Sequence, residues 1–252
     1  MLGGLHFVSF ARLGAGKDAR WVRIRAAAAA TVVTAAVAIA YEAFRQGLTM
    51  ATLAPLLLFY GGSAAVIIAF SVWTAAEIGL PSFLVLSQLP LRERLLRWLL
   101  LGVGLGFVLA AASVALSSGA AGPRPWFWRL IQTPLGATMF SARTALLEET
   151  FFRLFLIPFL VSVAMRARPA HYRLRLARGS GRAVQEGRRA GLPTIVAACV
   201  LSSAMFGLAH PFNPLGALVS APVLACAYLW GGWESAVTAH FLANVILFSF
   251  YY

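Results

Sequence analysis

Four carboxylate or imidazole side chains lie inside long apolar stretches of the chain, away from the expected interfaces: Glu148, Glu149, His210 and His240. A charged side chain in the middle of a membrane helix costs about 2.5 to 3.5 kcal/mol on insertion scales, so each such residue needs a functional or a pairing role. The glutamates share one apolar stretch and each histidine lies in another, so they can meet only where three helices pack together. Carboxylates and imidazoles commonly transfer protons in enzymes. The pattern predicts an acid–base site within a membrane, with a polar clamp between helices as the alternative.

The spacing around the two glutamates assigns them different roles. Glu149 and Arg153 are four residues apart and share a helix face, whereas Glu148 is turned about 100° away from Glu149. A buried guanidinium needs a counter-charge, so we expect Glu149 and Arg153 to form a supporting ion pair. Glu148 then remains as the reactive carboxylate, suited to act on water as a general base and afterwards as an acid.

The two histidines also have partners at helical spacing. Phe206 lies one turn before His210, and Pro211 should end the helix there, so we expect His210 at a helix terminus that opens into a cavity. His240 and Asn244 are four residues apart and could donate two hydrogen bonds to a developing oxyanion. A simple hydrogen bond between helices is the alternative role for Asn244.

The elements that must position these residues are membrane helices. The chain has 252 residues, of which 60% are hydrophobic and 12% are charged, and this excludes an ordinary soluble domain. Apolar stretches of about 20 residues have the length that a helix needs to cross a bilayer. The predicted fold class is all-α, a polytopic transmembrane helical bundle of about seven spans. The expected spans are 26–44, 50–76, 95–118, 134–165, 193–210, 213–231 and 233–251.

Basic residues set the expected topology. The net charge is +13, and Lys and Arg concentrate in segment 1–25, between Arg92 and Arg97, and in the Arg-rich loop 166–191. All three groups fall on one side after zero, two and four crossings, so the positive-inside rule places the N-terminus in the cytoplasm. Richness in Ala and Arg suggests a GC-rich bacterial genome and hence the inner membrane. We expect the loop to contact anionic lipid and not nucleic acid.

The same features divide the chain into three parts. Segment 1–25 is expected to be a basic cytoplasmic segment, 26–133 to hold the N-terminal spans, and 134–252 to form a catalytic membrane core that carries the Arg-rich loop. Segment 78–91 is apolar but too short to cross, so an interfacial or re-entrant piece is expected.

Several smaller features have structural interpretations. Glutamates near span ends are expected to reach the interface: Glu42, Glu77 and Glu234, the first of them three residues from Arg45. A glycine run is expected to allow close helix packing: Gly102, Gly104 and Gly106. Two cysteines inside apolar stretches are expected to be unpaired core residues: Cys199 and Cys226.

Three motifs follow one another on three predicted helices. Glu148 to Arg153 match EExxxR, Phe206 to His210 match FxxxH, and His240 to Asn244 match HxxxN. Together they resemble the CAAX protease and bacteriocin-processing (CPBP) family of intramembrane glutamate endopeptidases, which includes the type II CAAX prenyl endopeptidases. The resemblance covers about residues 134 to 250. The residue after Arg153 departs from it, being Leu154 where many members have glycine.

The resemblance implies a mechanism without metal or cofactor. Glu148 and His210 would activate water, while His240 and Asn244 would stabilise the oxyanion. The expected substrate is a membrane-anchored protein or peptide, cut near a C-terminal anchor, a sorting tail or a CAAX-like end. Because prenylated substrates are not expected in such a genome, removal of a sorting or anchor tail, as in the myxosortase branch of the family, or peptide maturation is favoured.

Other functions are weighed against this interpretation. Glu148, His210 and His240 could supply the ligands of a zinc-dependent intramembrane protease, although the chain lacks an HExxH motif. A non-hydrolytic membrane scaffold or immunity protein is a further alternative, for which degraded motifs would be expected. A serine protease is disfavoured, although Ser202 and Ser203 precede His210. A proton-coupled transporter is disfavoured because no inverted repeat is visible. An aspartyl protease is excluded because the sole aspartate, Asp18, lies in the basic segment.

Overall fold

A computed structural model of the chain describes residues 17–47, 49–78, 80, 82–83, 89–117, 129, 131–167, 191–211 and 213–250. These residues are helical or in short connections and form no strand, so the predicted all-α fold class is confirmed. The α-helices are α1 (Lys17–Gln46), α2 (Met50–Leu56), α3 (Ser63–Ile78), α4 (Leu91–Arg97), α5 (Leu105–Ser117), α6 (Pro134–Glu149), α7 (Ile157–Arg166), α8 (Leu192–Leu208) and α9 (Pro214–Ser249). The expectations for residues 1–16 and for most of the Arg-rich loop, 168–190, lie outside the described residues.

Three π-helical stretches connect consecutive α-helices into longer rods. Leu57–Gly62 joins α2 to α3, Trp98–Gly104 joins α4 to α5, and Thr150–Leu156 joins α6 to α7. Pro158, in the first turn of α7, has no backbone N–H to complete the regular α-helical bonding, which favours a wider turn before it. The third stretch begins directly after the two glutamates, and such π-turns are frequent at functional sites.

The chain is an integral membrane protein. Four helical segments are long and apolar enough to cross a membrane: Trp21–Gln46, Ala51–Ala76, Leu91–Leu116 and Pro214–Ser249. Large apolar side chains on these segments are exposed, among them Leu58, Val66 and Leu100. Such a surface suits contact with lipid tails and would be unfavourable in water. The total of about seven spans stays a prediction.

Helix α9 is interrupted at the boundary that the sequence predicts between its last two spans. Its backbone leaves the helical conformation at Gly232, where φ is 74° and ψ is 178°. Glycine alone adopts this region readily because it has no Cβ. The interruption therefore lies between the expected spans 213–231 and 233–251.

Segment 78–91 packs against this interruption. Its described residues between Ile78 and Leu91 are not helical, and Phe83 is buried with its ring edge-on to Trp233 at a centroid distance of 5.6 Å. The backbone N–H of Trp233 donates to the carbonyl oxygen of Ser82 at 3.0 Å. Irregular backbone is tolerated at membrane depth only where the protein itself satisfies it, and this contact does so.

The glycine run contributes to the packing of α9 at two of its three positions. A Cβ on Gly102 would lie 3.1 Å from the Cβ of Thr238, and a Cβ on Gly106 would lie 3.2 Å from the carbonyl oxygen of Ala239. Close approach is thus confirmed there, but a Cβ on Gly104 would meet only Leu99 of its own rod. Helix α9 also packs on α6 and α8, which makes it the central helix of the site.

Two smaller expectations have clear outcomes. Cys199 and Cys226 are free thiols, as expected. The interfacial position expected for Glu42 is wrong, because its side chain is buried and Arg45 lies 2.8 Å away. The reason is that α1 packs along the rod that follows it and along α6, so this face of α1 meets protein and not solvent.

Candidate active site

Three helical rods bring the predicted site residues to one cavity of about 460 Å³. Glu148 is the penultimate residue of α6, and His210 lies two residues beyond the end of α8. His240 and Asn244 lie on α9 after its interruption. All four line the cavity, and His210 stands just past a helix end as the sequence predicts.

The carboxylate of Glu148 faces both histidines. Its Oε2 lies 3.3 Å from Nε2 of His210 and 3.7 Å from Nε2 of His240. This oxygen is buried, and within the described part of the chain it has no partner at good hydrogen-bond geometry. One carboxylate oxygen and two imidazole nitrogens thus face a common space within reach of a single water molecule, as acid–base catalysis requires.

The backbone determines which nitrogen of His210 faces Glu148. Nδ1 of His210 lies 2.7 Å from the carbonyl oxygen of Phe206. A carbonyl oxygen can only accept, so Nδ1 donates the proton, and Nε2 of the neutral ring is left as an acceptor. The ionised carboxylate of Glu148 also only accepts, so both atoms call for a donor such as water. The ring of Phe206 stacks on the imidazole at a centroid distance of 4.3 Å and restricts its orientation.

Glu149 contacts two residues, of which the sequence predicts one. The expected ion pair is present, with Arg153 Nε 3.2 Å from Glu149 Oε2 and both side chains buried. The other oxygen, Oε1, lies 2.8 Å from Nδ1 of His240, a contact that the sequence did not predict. The ionised carboxylate only accepts, so His240 donates from Nδ1, and its Nε2 can donate only when the ring carries both protons.

Arg153 contacts both α8, which ends beside His210, and α9, which carries His240. Its Nη2 donates to the carbonyl oxygen of Ala221 at 3.3 Å, and its guanidinium lies 4.3 Å from the ring centroid of Phe206. The ring of Phe206 also stacks on the imidazole of His210, so Arg153 and His210 both contact this ring. Glu149, Arg153 and Phe206 therefore hold the positions of His240 and His210.

Asn244 makes the hydrogen bond between helices that was considered as its alternative role. Its Nδ2 donates to Oγ1 of Thr144 at 3.3 Å, and the Thr144 hydroxyl donates to the carbonyl oxygen of Phe140 at 3.0 Å. An amide nitrogen carries two protons, so a second donor is left for the cavity that Asn244 lines. The two roles are compatible.

Two further lining residues were missed by the sequence argument, Thr144 and Arg143. A signal for each is present in the sequence. Thr144 lies one helical turn before Glu148 and so shares its face, and Arg143 is a charged residue inside a predicted span, which calls for a partner or a function.

The residues that the zinc alternative requires lie near one another. Nε2 of His210 and Nε2 of His240 lie 3.3 and 3.7 Å from Glu148 Oε2. Over the described ranges, however, no group of three or more His, Cys, Asp and Glu side chains is arranged to hold a metal ion. Elemental analysis is the test that separates the two chemistries.

Comparison with known proteins identifies the second half of the chain. Residues 130–246 match the family model for "Type II CAAX prenyl endopeptidase Rce1-like", a region that contains α6 to α9 and all three motifs. No curated protein and no solved structure matches the chain. Residues 130–246 therefore form an Rce1-like type II CAAX prenyl endopeptidase domain of the CPBP family.

Proposed function

We propose that this protein is an intramembrane glutamate endopeptidase that hydrolyses a peptide bond in a membrane-anchored protein or peptide. The family supports peptidase activity. The observation that carries the catalytic type is the convergence of His210 Nε2 and His240 Nε2 on Oε2 of Glu148, at 3.3 and 3.7 Å. The cavity that contains them has room for a peptide segment.

In the first step, Glu148 activates a water molecule. The water bridges Glu148 Oε2 and His210 Nε2 from the cavity side, gives a proton to the carboxylate, and its oxygen bonds to the scissile carbonyl carbon. The resulting tetrahedral intermediate carries a negative oxygen. When the C–N bond breaks, Glu148 returns the proton to the leaving amine, so the net reaction consumes one water.

Donors on α9 stabilise the oxyanion. Asn244 offers the amide proton that Thr144 does not engage, and His240 offers Nε2–H when the ring is doubly protonated. The buried carboxylate of Glu149, 2.8 Å from His240 Nδ1, accepts the proton of that nitrogen and so keeps Nε2 turned toward the cavity. No metal or cofactor takes part in this mechanism.

The substrate and the cellular setting belong to the same proposal. The cut in the substrate lies near a C-terminal anchor, a sorting tail or a CAAX-like end. The catalytic core that makes this cut is residues 134–252. The protein lies in a bacterial inner membrane with the N-terminus inside, so the Arg-rich loop 166–191 faces anionic lipid on the cytoplasmic side. Nucleic acid has no role in this proposal.

A zinc-dependent protease is the competing chemistry. The contact between Glu149 and His240 fits zinc binding by His240, because carboxylates orient metal-bound histidines in the same way. In that case Glu148, His210 and His240 would be the metal ligands, and Asn244 would have no catalytic task.

Mapping of protein termini in cells tests the proposal. Cells that lack the protein are complemented with the wild type, with Glu148→Gln or with Glu93→Gln, and the termini of all membrane proteins are compared by mass spectrometry. Glu93 is a matched control, since it pairs with Arg97 away from the cavity. We expect at least one membrane protein to be shortened with the wild type and Glu93→Gln but not with Glu148→Gln. Identical termini in all strains would favour a scaffold or immunity protein.

A further inference from the structure

Arg143 lies in the wall of the candidate active site without a role in the proposed mechanism. Its side chain lines the same cavity as Glu148, which lies five residues later in α6, and it also lines a second cavity beside Tyr60. Among the described residues that line this cavity it is the one with a permanent positive charge. Five residues of helix place it roughly 7.5 Å from Glu148 along the axis.

Arg143 belongs to a partly buried polar cluster that carries an excess positive charge. The carboxylate of Glu42 accepts hydrogen bonds from Arg45 at 2.9 Å, from Gln46 at 2.8 Å and from Tyr60 at 3.2 Å. Arg143 lies further away, 3.8 Å from Glu42 Oε1. One carboxylate thus serves two guanidinium groups, and Arg45 makes the closer contact. Arg143 is left with its charge only partly compensated.

The guanidinium of Arg143 is held in place but keeps spare donors. Its Nη2 donates to the hydroxyl of Tyr60 at 3.2 Å, and the ring of Tyr41 lies 5.0 Å from its central carbon. Its Nε is buried without a hydrogen-bond partner among the described residues. A guanidinium has five N–H donors in a planar fork that matches a carboxylate, so a fixed fork with unused donors is prepared to bind an anion.

The rest of the cavity favours an apolar ligand with one anionic group. Much of its lining is apolar: Leu109, Phe140, Ala217, Leu224 and Phe248. A mostly apolar pocket with a few fixed polar groups selects the orientation of its ligand through those groups. Because this cavity also contains Glu148, an anion held by Arg143 is in position to be part of the molecule that is cleaved. In a peptide, that anion is a carboxylate.

We propose that Arg143 binds a carboxylate of the peptide substrate and thereby positions the scissile bond at Glu148. This inference rests on the proposed endopeptidase function. The carboxylate belongs either to the C-terminus or to an acidic side chain. An extended peptide advances about 3.3 Å per residue, so the axial offset between Arg143 and Glu148 leaves room for roughly two residues between the anchor and the cut.

Three matched peptide pools test this proposal on the purified full-length protein in liposomes. All are N-acylated peptides with the same randomised positions: one pool ends in a free carboxylate, one in a carboxamide, and one in a carboxamide preceded by glutamate. Mass spectrometry measures the initial rate of hydrolysis in each pool. We expect the wild type to cleave at least one carboxylate-bearing pool roughly 10- to 100-fold faster than the neutral pool, as for a hydrogen bond to a charged group.

Variants of the cluster identify the residue responsible. Arg143→Gln should lose most of the preference, whereas Arg143→Lys, which keeps the charge without the fork, should keep part of it. Both should fold, because Glu42 retains its closer partner Arg45. If Arg143→Gln fails to accumulate, Arg143→Met replaces it. Arg97→Gln is the matched control, since it removes a guanidinium that is as exposed as that of Arg143 but pairs with Glu93 and does not line the cavity, and it should keep the full preference.

Each outcome supports or contradicts the inference. Equal wild-type rates in all three pools, or a preference that survives in Arg143→Gln, would overturn the role of Arg143 and leave the endopeptidase function intact. An equal loss in all pools would also overturn it, because that result indicates a purely structural residue. The pool whose hydrolysis rate falls in Arg143→Gln identifies the bound carboxylate as the C-terminus or the acidic side chain. No cleavage of any pool by the wild type would contradict the proposed function itself.

Discussion

Glu149 Oε1 and His240 Nδ1, 91 residues apart in the chain, lie 2.8 Å apart in the buried centre of the protein. This contact joins α6 to α9 and gives the second glutamate of EExxxR two tasks, as counter-charge to Arg153 and as the group that orients His240. Loss of Glu149 should therefore impair both stability and chemistry, which extends the purely supporting role that its spacing predicted.

Glu149→Gln should lower the free energy of unfolding by about 3 to 5 kcal/mol, because it leaves the buried guanidinium of Arg153 without a counter-charge. Thermal unfolding in detergent measures this loss. In the double variant Glu149→Gln with Arg153→Met, most of the stability should return, since no uncompensated charge remains. Turnover should stay low, because a neutral amide accepts the Nδ1 proton of His240 less strongly than a carboxylate and holds the ring less firmly. A double variant with restored turnover would mean that Glu149 acts only through stability.

Asn244→Ala should lower kcat by about 10²- to 10³-fold with little change in KM, because one oxyanion donor is typically worth about 2.7 to 4 kcal/mol in the transition state. Asn244→Asp should be at least as damaging, since an ionised carboxylate would repel the developing charge. Steady-state kinetics and melting temperature are measured together. If Asn244→Ala lost thermal stability but kept its kcat, the residue would serve only as a contact between helices.

Thr144→Val should lower kcat by about 2- to 10-fold, as expected for the loss of one neutral hydrogen bond that orients Asn244. Thr144→Ser keeps the hydroxyl and should restore the wild-type kcat. The comparison of Val and Ser tests whether the 3.3 Å contact with Asn244 matters for catalysis. Equal activity of both variants would show that it does not.

Metal analysis separates glutamate chemistry from zinc chemistry. The purified protein should contain no stoichiometric metal and should keep its activity after dialysis against a strong chelator. The physical reason is that His240 is assigned as a donor through Nε2, and a nitrogen that binds zinc cannot also donate. One zinc per chain, with activity restored only by metal, would establish the competing mechanism.

The sequence predicts those parts of the site that depend on local geometry. Ionisable residues in apolar stretches mark Glu148, His210 and His240, and the four-residue spacing alone predicts the pair between Glu149 and Arg153. The interruption at Gly232 also falls where the apolar stretches divide. These features depend on helix periodicity and on the cost of charge in a membrane, both of which can be read from one segment at a time.

Other features depend on how helices pack, and single segments do not contain that information. The contact between Glu149 and His240 requires the rotation and register of α6 against α9. Likewise, burial of Glu42 follows from the packing of α1 beside Tyr60 and Arg143. The π-helical stretch Thr150–Leu156 changes the helical phase directly after the glutamates, so a regular 100° projection holds only up to Glu149.

The most direct test of the account is the turnover of the carboxylate-ended peptide pool by Glu148→Gln in liposomes, measured beside the wild type and Glu93→Gln. Glutamine has nearly the shape of glutamate but cannot take a proton from water. The account predicts that Glu148→Gln is at least about 10²-fold slower than the wild type at an unchanged melting temperature, while Glu93→Gln matches the wild type. A folded Glu148→Gln protein that cleaves within a few-fold of the wild-type rate would contradict the account.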